Sequence, residues 1–90
     1  MTSRYFAAFC FQLCAEGSPS RFGFTVPRTV GKAVERNRLK RRMREAVRKQ
    51  MDAVPLDWAI IFNPRRTALE APFEDLCREV GRIFARCKQS

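Results

Sequence analysis

Residues 21–51 read RFGFTVPRTVGKAVERNRLKRRMREAVRKQM, and the spacing of the apolar side chains changes after Pro27. Before this proline, residues 21–26 are apolar at every second position, which is typical of a half-buried strand. After Gly31 the apolar positions recur at intervals of three and four, which predicts an amphipathic helix over about residues 34–51. The apolar stripe of that helix consists of Leu39, Met43, Ala46, Val47 and Met51. This stretch therefore predicts a strand followed by a helix.

Two further segments complete the predicted sheet. Residues 4–14 are rich in Phe and Cys and contain no Pro or Gly, which favours a strand. Residues 16–20 are typical of a turn, so we expect the first two strands to pair as a hairpin with a longer loop. Residues 57–63 predict a short buried strand between Pro55 and Pro64.

A second amphipathic helix ends the chain, and Pro72 suits its first turn. Its apolar stripe consists of Phe73, Leu76, Cys77, Val80, Ile83, Phe84 and Cys87. The predicted order β-β-α-β-α indicates an α+β fold, a two-layer α/β sandwich with both helices on one face of the sheet. The chain has ninety residues, no internal repeat and no long linker, so residues 1–90 are expected to form a single domain.

Positive charge is concentrated in the first predicted helix. The chain carries 18 Lys and Arg against 9 Asp and Glu, a net charge of +9, and it has no His. Residues 31–50 hold nine of these cations against Glu35 and Glu45. The apolar stripe covers one side only, so we expect the guanidinium groups to point away from the core together. Like charges four residues apart destabilise an isolated helix, which indicates a polyanionic partner.

Nucleic acid is favoured as that partner, because arginine binds phosphate through two parallel hydrogen bonds. An anionic membrane is disfavoured, since the apolar face of the helix is already needed for the core. No apolar run approaches the roughly 18 residues of a membrane span. The N-terminus has no cleavage pattern of a signal peptide, so we expect a soluble, intracellular protein.

Metal and catalytic sites are not indicated in the chain itself. The four cysteines have no CxxC spacing and no accompanying histidine, which disfavours zinc. The spacing is too long for a local disulfide, both between Cys10 and Cys14 and between Cys77 and Cys87. A disulfide from strand to helix remains possible. Free cysteines are commonly buried in the core, so reduced thiols are predicted. A nuclease that used its own side chains would need a histidine or a carboxylate cluster, and the acidic residues here are scattered.

The basic helix carries a specific motif. Residues 31–45 read GKAVERNRLKRRMRE, and residues 24–26 before them read FTV. This pattern closely resembles the signature of the bacterial ribonuclease P protein subunit, Gly-Lys/Asn-Ala-Val-x-Arg-Asn-Arg-x-Lys-Arg-x-x-Arg-Glu, and every fixed position is filled. The strand DWAII at residues 57–61 and the C-terminal amphipathic helix are also similar to that family, so the resemblance covers roughly residues 4–88.

The resemblance implies both a fold and a role. The fold is a two-layer sandwich shared with a ribosomal-protein-like superfamily, with a left-handed crossover around the basic helix. The family's holoenzyme is an endoribonuclease that removes the 5′ leader from precursor tRNA, with catalysis by a large RNA subunit and its bound Mg²⁺. The protein is auxiliary: it binds the catalytic RNA, one protein to one RNA, and helps to hold the leader. The expected location is the bacterial cytoplasm.

Residue roles follow from the same resemblance. Positions that face the RNA subunit, where we expect phosphate contacts, are matched by Arg36, Arg38, Lys40, Arg41 and Arg44. Asn37 has two interpretations, a helix N-cap or a hydrogen bond to RNA. Arg28 and Lys32 flank the motif in the preceding loop and complete the expected RNA-binding set. Glu45, four residues after Arg41, is expected to form an intrahelical ion pair with it.

The leader site of the family lies between the open face of the sheet and an N-terminal helix, where bases stack on aromatic rings. Phe9 matches an aromatic of that cleft, and Tyr5 and Phe11 share its side of the strand by two-residue alternation. Core packing is the alternative role for these rings. This chain begins directly at the first predicted strand, and Pro27 stands where the family commonly has Ser. These departures concern leader binding rather than the contact with the RNA subunit.

Other functions fit the sequence less well. The strongest alternative is a generic RNA-binding or ribosomal-type protein of similar fold without a processing role. A DNA-binding basic region is weaker, because Pro55 stops the helix before the heptads of a zipper could follow. A ribonuclease that acts alone is the weakest, because the chain lacks histidine and a carboxylate cluster.

Overall fold

The computed structural model describes residues 2–13 and 17–88. Within these ranges the strands are β1 (Phe6–Gln12), β2 (Arg21–Phe24) and β3 (Trp58–Pro64), and the helices are α1 (Ala33–Arg48), α2 (Thr67–Glu70) and α3 (Phe73–Lys88). The predicted order β-β-α-β-α is confirmed, and the short helix α2 is an addition that the sequence pattern did not indicate. None of the helices in the described ranges is long and apolar enough to cross a membrane.

Strand β3 lies in the centre of the sheet, in the order β1-β3-β2. β1 pairs with it antiparallel, with Phe9 opposite Ile61, and β2 pairs with it parallel, with Gly23 opposite Ile61. The predicted hairpin between the first two strands is therefore wrong. The continuous apolar run of β3 is typical of a central strand rather than an edge strand.

Described residues that follow β1 and precede β2 are hydrogen-bonded to the start of β3. The N–H of Leu13 donates to the carbonyl oxygen of Asp57 (2.6 Å), and the N–H of Asp57 donates to that of Ser18 (3.1 Å). The Ser20 hydroxyl accepts a hydrogen bond from the N–H of Trp58 (3.2 Å). Asp57 has a φ of 68°, a left-handed conformation that Asp tolerates, so the strand starts at Trp58 rather than at the predicted Asp57. These bonds hold both outer strands beside β3.

Both long helices pack on one face of the sheet, as predicted for a two-layer sandwich. The helices bury Leu39, Met43, Ala46, Val47, Leu76, Val80, Ile83, Phe84 and Cys87. The sheet buries Phe6, Ala8, Ile60 and Phe62 against them, and the rings of Phe6 and Phe62 meet edge to face at 5.3 Å. Met51, predicted in the apolar stripe, is exposed because α1 ends at Arg48.

The cysteines of the described residues are free thiols. Cys10 on β1 and Cys87 on α3 are hydrogen-bonded neighbours across the two layers. Burial, and then this hydrogen bond, raises the pKa of Cys87 to about 12. Cys10, Cys77 and Cys87 form no disulfide in the structure, so reduced thiols stay the prediction, whereas Cys14 lies outside the described residues.

Candidate nucleic-acid interface

At the start of helix α1, the side chains of Glu35 and Arg66 lie close to Gly31, which has no side chain of its own. The N–H of Lys32 donates to Glu35 Oε1 (3.1 Å), and Arg66 Nη2 donates to Glu35 Oε2 (3.0 Å). Arg66 Nη1 also donates to the carbonyl oxygen of Val30 (2.6 Å). A Cβ at Gly31 would lie 2.7 Å from Glu35 Oε1 and 3.0 Å from Arg66 Nη1, so a side chain there would displace this pair. The hydrogen bond from Lys32, and then the charge of Arg66, hold the pKa of Glu35 below its usual value.

The outer face of α1 is a ridge of cations between grooves. Asn37, Arg38, Arg41 and Arg44 are exposed, and Lys40 is half-buried. A groove of about 410 Å³ on one side of the ridge is lined by Asn37, Lys40, Arg41 and Arg44. On the other side, cavities of about 690 and 470 Å³ share Arg38 and Arg42 in their walls and extend to α2 and to the start of α3. Within the described residues, no salt bridge engages Arg38, Lys40 or Arg41.

The remaining residues predicted to bind RNA lie around the start of α1. Lys32 occupies the N-cap position, whereas Asn37 lies in the second turn and is exposed. The N-cap interpretation of Asn37 is therefore wrong, and a hydrogen bond to RNA stays its predicted role. Arg28 is exposed in the single-turn 3₁₀ helix that precedes α1. Arg36 is half-buried, and its Nε has no acceptor in the part of the chain that the structure describes.

Arg42 faces away from this ridge. Its Nε donates to the carbonyl oxygen of Ala68 (3.1 Å), and its Nη2 donates to that of Ala71. The guanidinium carbon lies 5.9 Å from the centre of the Phe73 ring, within the range of a cation–π contact. These contacts fasten α1 to α2 and to α3. The expectation that all guanidinium groups of the helix point away from the core is wrong at this position.

Glu45 pairs with Arg48 at 3.3 Å rather than with Arg41. The predicted pair with Arg41 is wrong, and the order of the charged residues along the helix explains why. On a helix, an acid placed before its basic partner is favoured over the reverse order, because each charge then agrees with the helix dipole. Arg41 precedes Glu45, whereas Arg48 follows it. Arg41 thus remains available to a partner molecule.

In the part of the chain that the structure describes, the sheet face opposite the helices is open. The strand register places Phe9 beside Ile61 and Ile61 beside Gly23. Phe9 and Phe11 are 52% and 56% exposed, and Ile61 is exposed as well. Core packing is therefore excluded for both rings. Arg21, two residues before Gly23 on β2, lies on the same face and is also exposed.

Tyr5 is not part of the open sheet face. Its side chain is buried, and its hydroxyl lies 3.5 Å from Asp75 Oδ2 on α3, on the helix side of the sheet. The chain bends at this residue, where the N–H of Tyr5 donates to Ser3 Oγ (3.0 Å). Two-residue alternation holds only within a regular strand, and β1 starts at Phe6. The predicted placement of Tyr5 beside Phe9 is therefore wrong.

Arg21 and Arg66 are site residues that the sequence analysis did not single out. A signal for Arg21 was present, because alternation in residues 21–26 sets Arg21 and Gly23 opposite Phe22 and Phe24. No local pattern pointed to Arg66, since its bonds to Val30 and Glu35 join segments more than thirty residues apart.

Single acidic side chains line the cavities beside the ridge, Glu35 and Glu70 in the larger one and Glu45 in the smaller one. On α3, Asp75 pairs with Arg78 and Glu79 pairs with Arg82, each at 3.4 Å. The described residues contain no group of three or more His, Cys, Asp and Glu that would hold a metal ion. Both surfaces therefore offer cations, an amide and apolar rings to a partner, which suits contact with phosphates and bases.

Known proteins are similar to this chain in sequence and in fold. A family model described as Ribonuclease P matches residues 1–88. The chain belongs to the ribonuclease P protein family. The ribonuclease P protein component of Symbiobacterium thermophilum is 46% identical over 70 residues, which cover 78% of this chain and 61% of that relative. The component of Kocuria rhizophila is 38% identical over 75 residues, which cover 79% and 66%. The chain thus spans somewhat less than two thirds of the length of these relatives.

Solved structures of ribonuclease P proteins have the same fold. The RNase P protein from Thermotoga maritima superposes with a TM-score of 0.83 at 27% sequence identity, covering 96% of this chain and 80% of that one. The Staphylococcus aureus RNase P protein superposes with a TM-score of 0.76 at 24% identity, covering 98% and 79%. The predicted α+β sandwich of the ribonuclease P family is confirmed.

Proposed function

We propose that this chain is the protein subunit of ribonuclease P and that it binds the catalytic RNA through the outer face of α1. The observation that carries the proposal is the ridge of Arg38 and Arg41. Both side chains are exposed between grooves, and no acidic partner within the described residues engages them. The ridge lies inside the motif of residues 31–45, so its cations are positioned by the helix rather than by a flexible tail.

In this proposal the RNA subunit, with its bound Mg²⁺, cleaves the phosphodiester bond. We assign no Mg²⁺ ligand to the protein, because the described residues bring no acidic cluster together. The chain also has no histidine for acid–base catalysis. What its side chains supply is positive charge against RNA phosphates, which lets closely packed RNA segments approach each other.

The open sheet face is the proposed site for the 5′ leader of precursor tRNA. Phe9 and Phe11 present exposed rings, Ile61 extends the apolar surface across β3, and Arg21 adds a cation at its border. Single-stranded RNA binds such surfaces through bases that stack on aromatic rings while cations contact its backbone. We place the resulting complex, with one protein for each RNA, in the bacterial cytoplasm.

Reconstitution tests the proposal. The protein mixed with a bacterial ribonuclease P RNA at low Mg²⁺ should cleave precursor tRNA at the mature 5′ end faster than the RNA alone. The double variant Arg38→Ala/Arg41→Ala should lose most of this stimulation. The matched control Arg78→Ala/Arg82→Ala removes two exposed arginines from α3 and should retain it. Equal loss in the two double variants, or cleavage by nuclease-treated protein alone, would contradict the proposal.

Salt dependence separates a phosphate interface from other modes of binding. If five cations of α1 each meet a phosphate, the logarithm of the binding constant should fall against the logarithm of salt concentration with a slope on the order of −3 to −5. A slope near zero would exclude the ridge as the RNA contact. Salt-dependent binding without stimulated cleavage would favour the alternative, a generic RNA-binding protein.

A further inference from the structure

Val34, in the first turn of α1, is 75% exposed and is the most exposed large hydrophobic residue that the structure describes. It belongs to the motif of residues 31–45, yet the proposed phosphate contacts do not use it. The preceding Ala33 is exposed as well. The two residues form a small apolar surface on a helix whose other exposed positions are mainly charged.

The fold gives no reason for a valine at this position. The buried stripe of α1, which includes Leu39 and Met43, lies on the opposite side of the helix. A β-branched side chain lowers helix propensity relative to alanine, so an exposed valine weakens the helix slightly. A partner molecule that covers Val34 would explain why an apolar side chain is exposed at this position.

The surroundings of Val34 indicate the chemistry of that partner. Residues three, four and seven positions later lie on the same helix face, and these are Asn37, Arg38 and Arg41. The exposed Lys32 lies at the N-cap just before it. Any molecule that covers Val34 must therefore also accept several positive charges. RNA does so, because it displays sugars and base edges directly beside its phosphates.

We propose that Ala33 and Val34 form an apolar contact with sugar or base surfaces of the RNA subunit, at the end of the cation ridge. This inference rests on the proposed function and adds to it a contact that salt does not weaken. Its contribution comes from apolar area removed from water, so it changes affinity without releasing counterions.

Binding measurements on the full chain with an in vitro transcribed bacterial ribonuclease P RNA test this contact. Val34→Ala and Val34→Thr should each weaken binding about four- to fifteenfold, the range expected for losing one or two buried methyl groups. The slope of affinity against salt should equal that of the wild type. Arg38→Ala, measured alongside, should instead lower the slope by about one.

Leu56→Ala is the matched control, because Leu56 is 61% exposed in the loop before β3 and lies off α1. It should bind RNA as the wild type does. Alanine favours helix more than valine, so Val34→Ala cannot fail by unfolding α1. Wild-type affinity in both Val34 variants, a reduced salt slope in them, or an equal loss in Leu56→Ala would overturn the inference. A wild-type protein that does not bind the RNA would overturn the proposed function itself.

Discussion

Arg41 and Arg42 are adjacent and chemically identical, but their surroundings differ. Arg41 is exposed on the ridge, whereas Arg42 donates to the carbonyl oxygens of Ala68 and Ala71. We expect Arg42→Ala to lower the free energy of unfolding by about 1–3 kcal/mol, because two half-buried hydrogen bonds are lost. Arg41→Ala should change it by no more than about 0.5 kcal/mol. Urea unfolding of the two variants measures the difference, and equal destabilisation would contradict these assignments.

The ionisation of Glu35 makes the stability of the protein depend on pH at the start of α1. Its folded-state pKa is lowered by the hydrogen bond from Lys32 and by the charge of Arg66. Such a group contributes stability above its unfolded pKa, and this contribution is lost as the pH falls through the lower folded value. Glu35→Gln should therefore destabilise the protein at neutral pH and progressively less below the ordinary carboxyl value of 4.5.

Urea unfolding of wild type and Glu35→Gln across the acidic range checks this prediction. Glu74→Gln, an exposed glutamate on α3, controls for the loss of one negative charge. If Glu35→Gln lowered the free energy of unfolding equally at neutral and acidic pH, the loss would not come from the contacts of the ionised Glu35 carboxylate.

At the scale of a single element, β1 buries Phe6 on one face and exposes Phe9 on the other. Phe9→Ala should leave stability nearly unchanged but reduce the holoenzyme's preference for leader-bearing over mature tRNA about tenfold, since stacking one base is worth about 1–3 kcal/mol. Phe6→Ala, on the same strand, should instead cost about 3–5 kcal/mol of stability. Competition binding and urea unfolding report the two effects. A folded Phe9→Ala protein with unchanged leader preference, or a loss of stability as large as that of Phe6→Ala, would contradict the assignment of Phe9 to the leader site.

At the scale of the whole molecule, the two candidate surfaces lie on opposite layers of a body of 39 × 23 × 19 Å. The cation ridge belongs to the helix layer, and Phe9 belongs to the open side of the sheet. The two proposed contacts, one with the RNA subunit and one with the leader, can therefore be made by one molecule at the same time. Combining Phe9→Ala with Arg38→Ala/Arg41→Ala should give additive losses in kcat/KM, within about 0.3–0.5 kcal/mol. A larger coupling energy would mean that both changes act on one surface.

The amino-acid sequence by itself determined the two long helices, the three strands and the family. The stripes that include Leu39 and Met43 on α1, and Val80 and Phe84 on α3, are buried as their spacing predicted. Periodicity succeeds here because it reflects local backbone geometry, which neighbouring residues set. The motif of residues 31–45 indicated the ribonuclease P family without any structure, and the family match over residues 1–88 agrees.

Only the tertiary structure decided which strands pair and where individual side chains point. β3 lies between β1 and β2, so strands that are neighbours in the chain do not pair with each other. Arg42 turns toward α2, and Tyr5 turns toward α3, against the pattern of their neighbours. These outcomes depend on hydrogen bonds and packing between segments far apart in the chain. A local pattern contains no information about such contacts, because they exist only once the layers have come together.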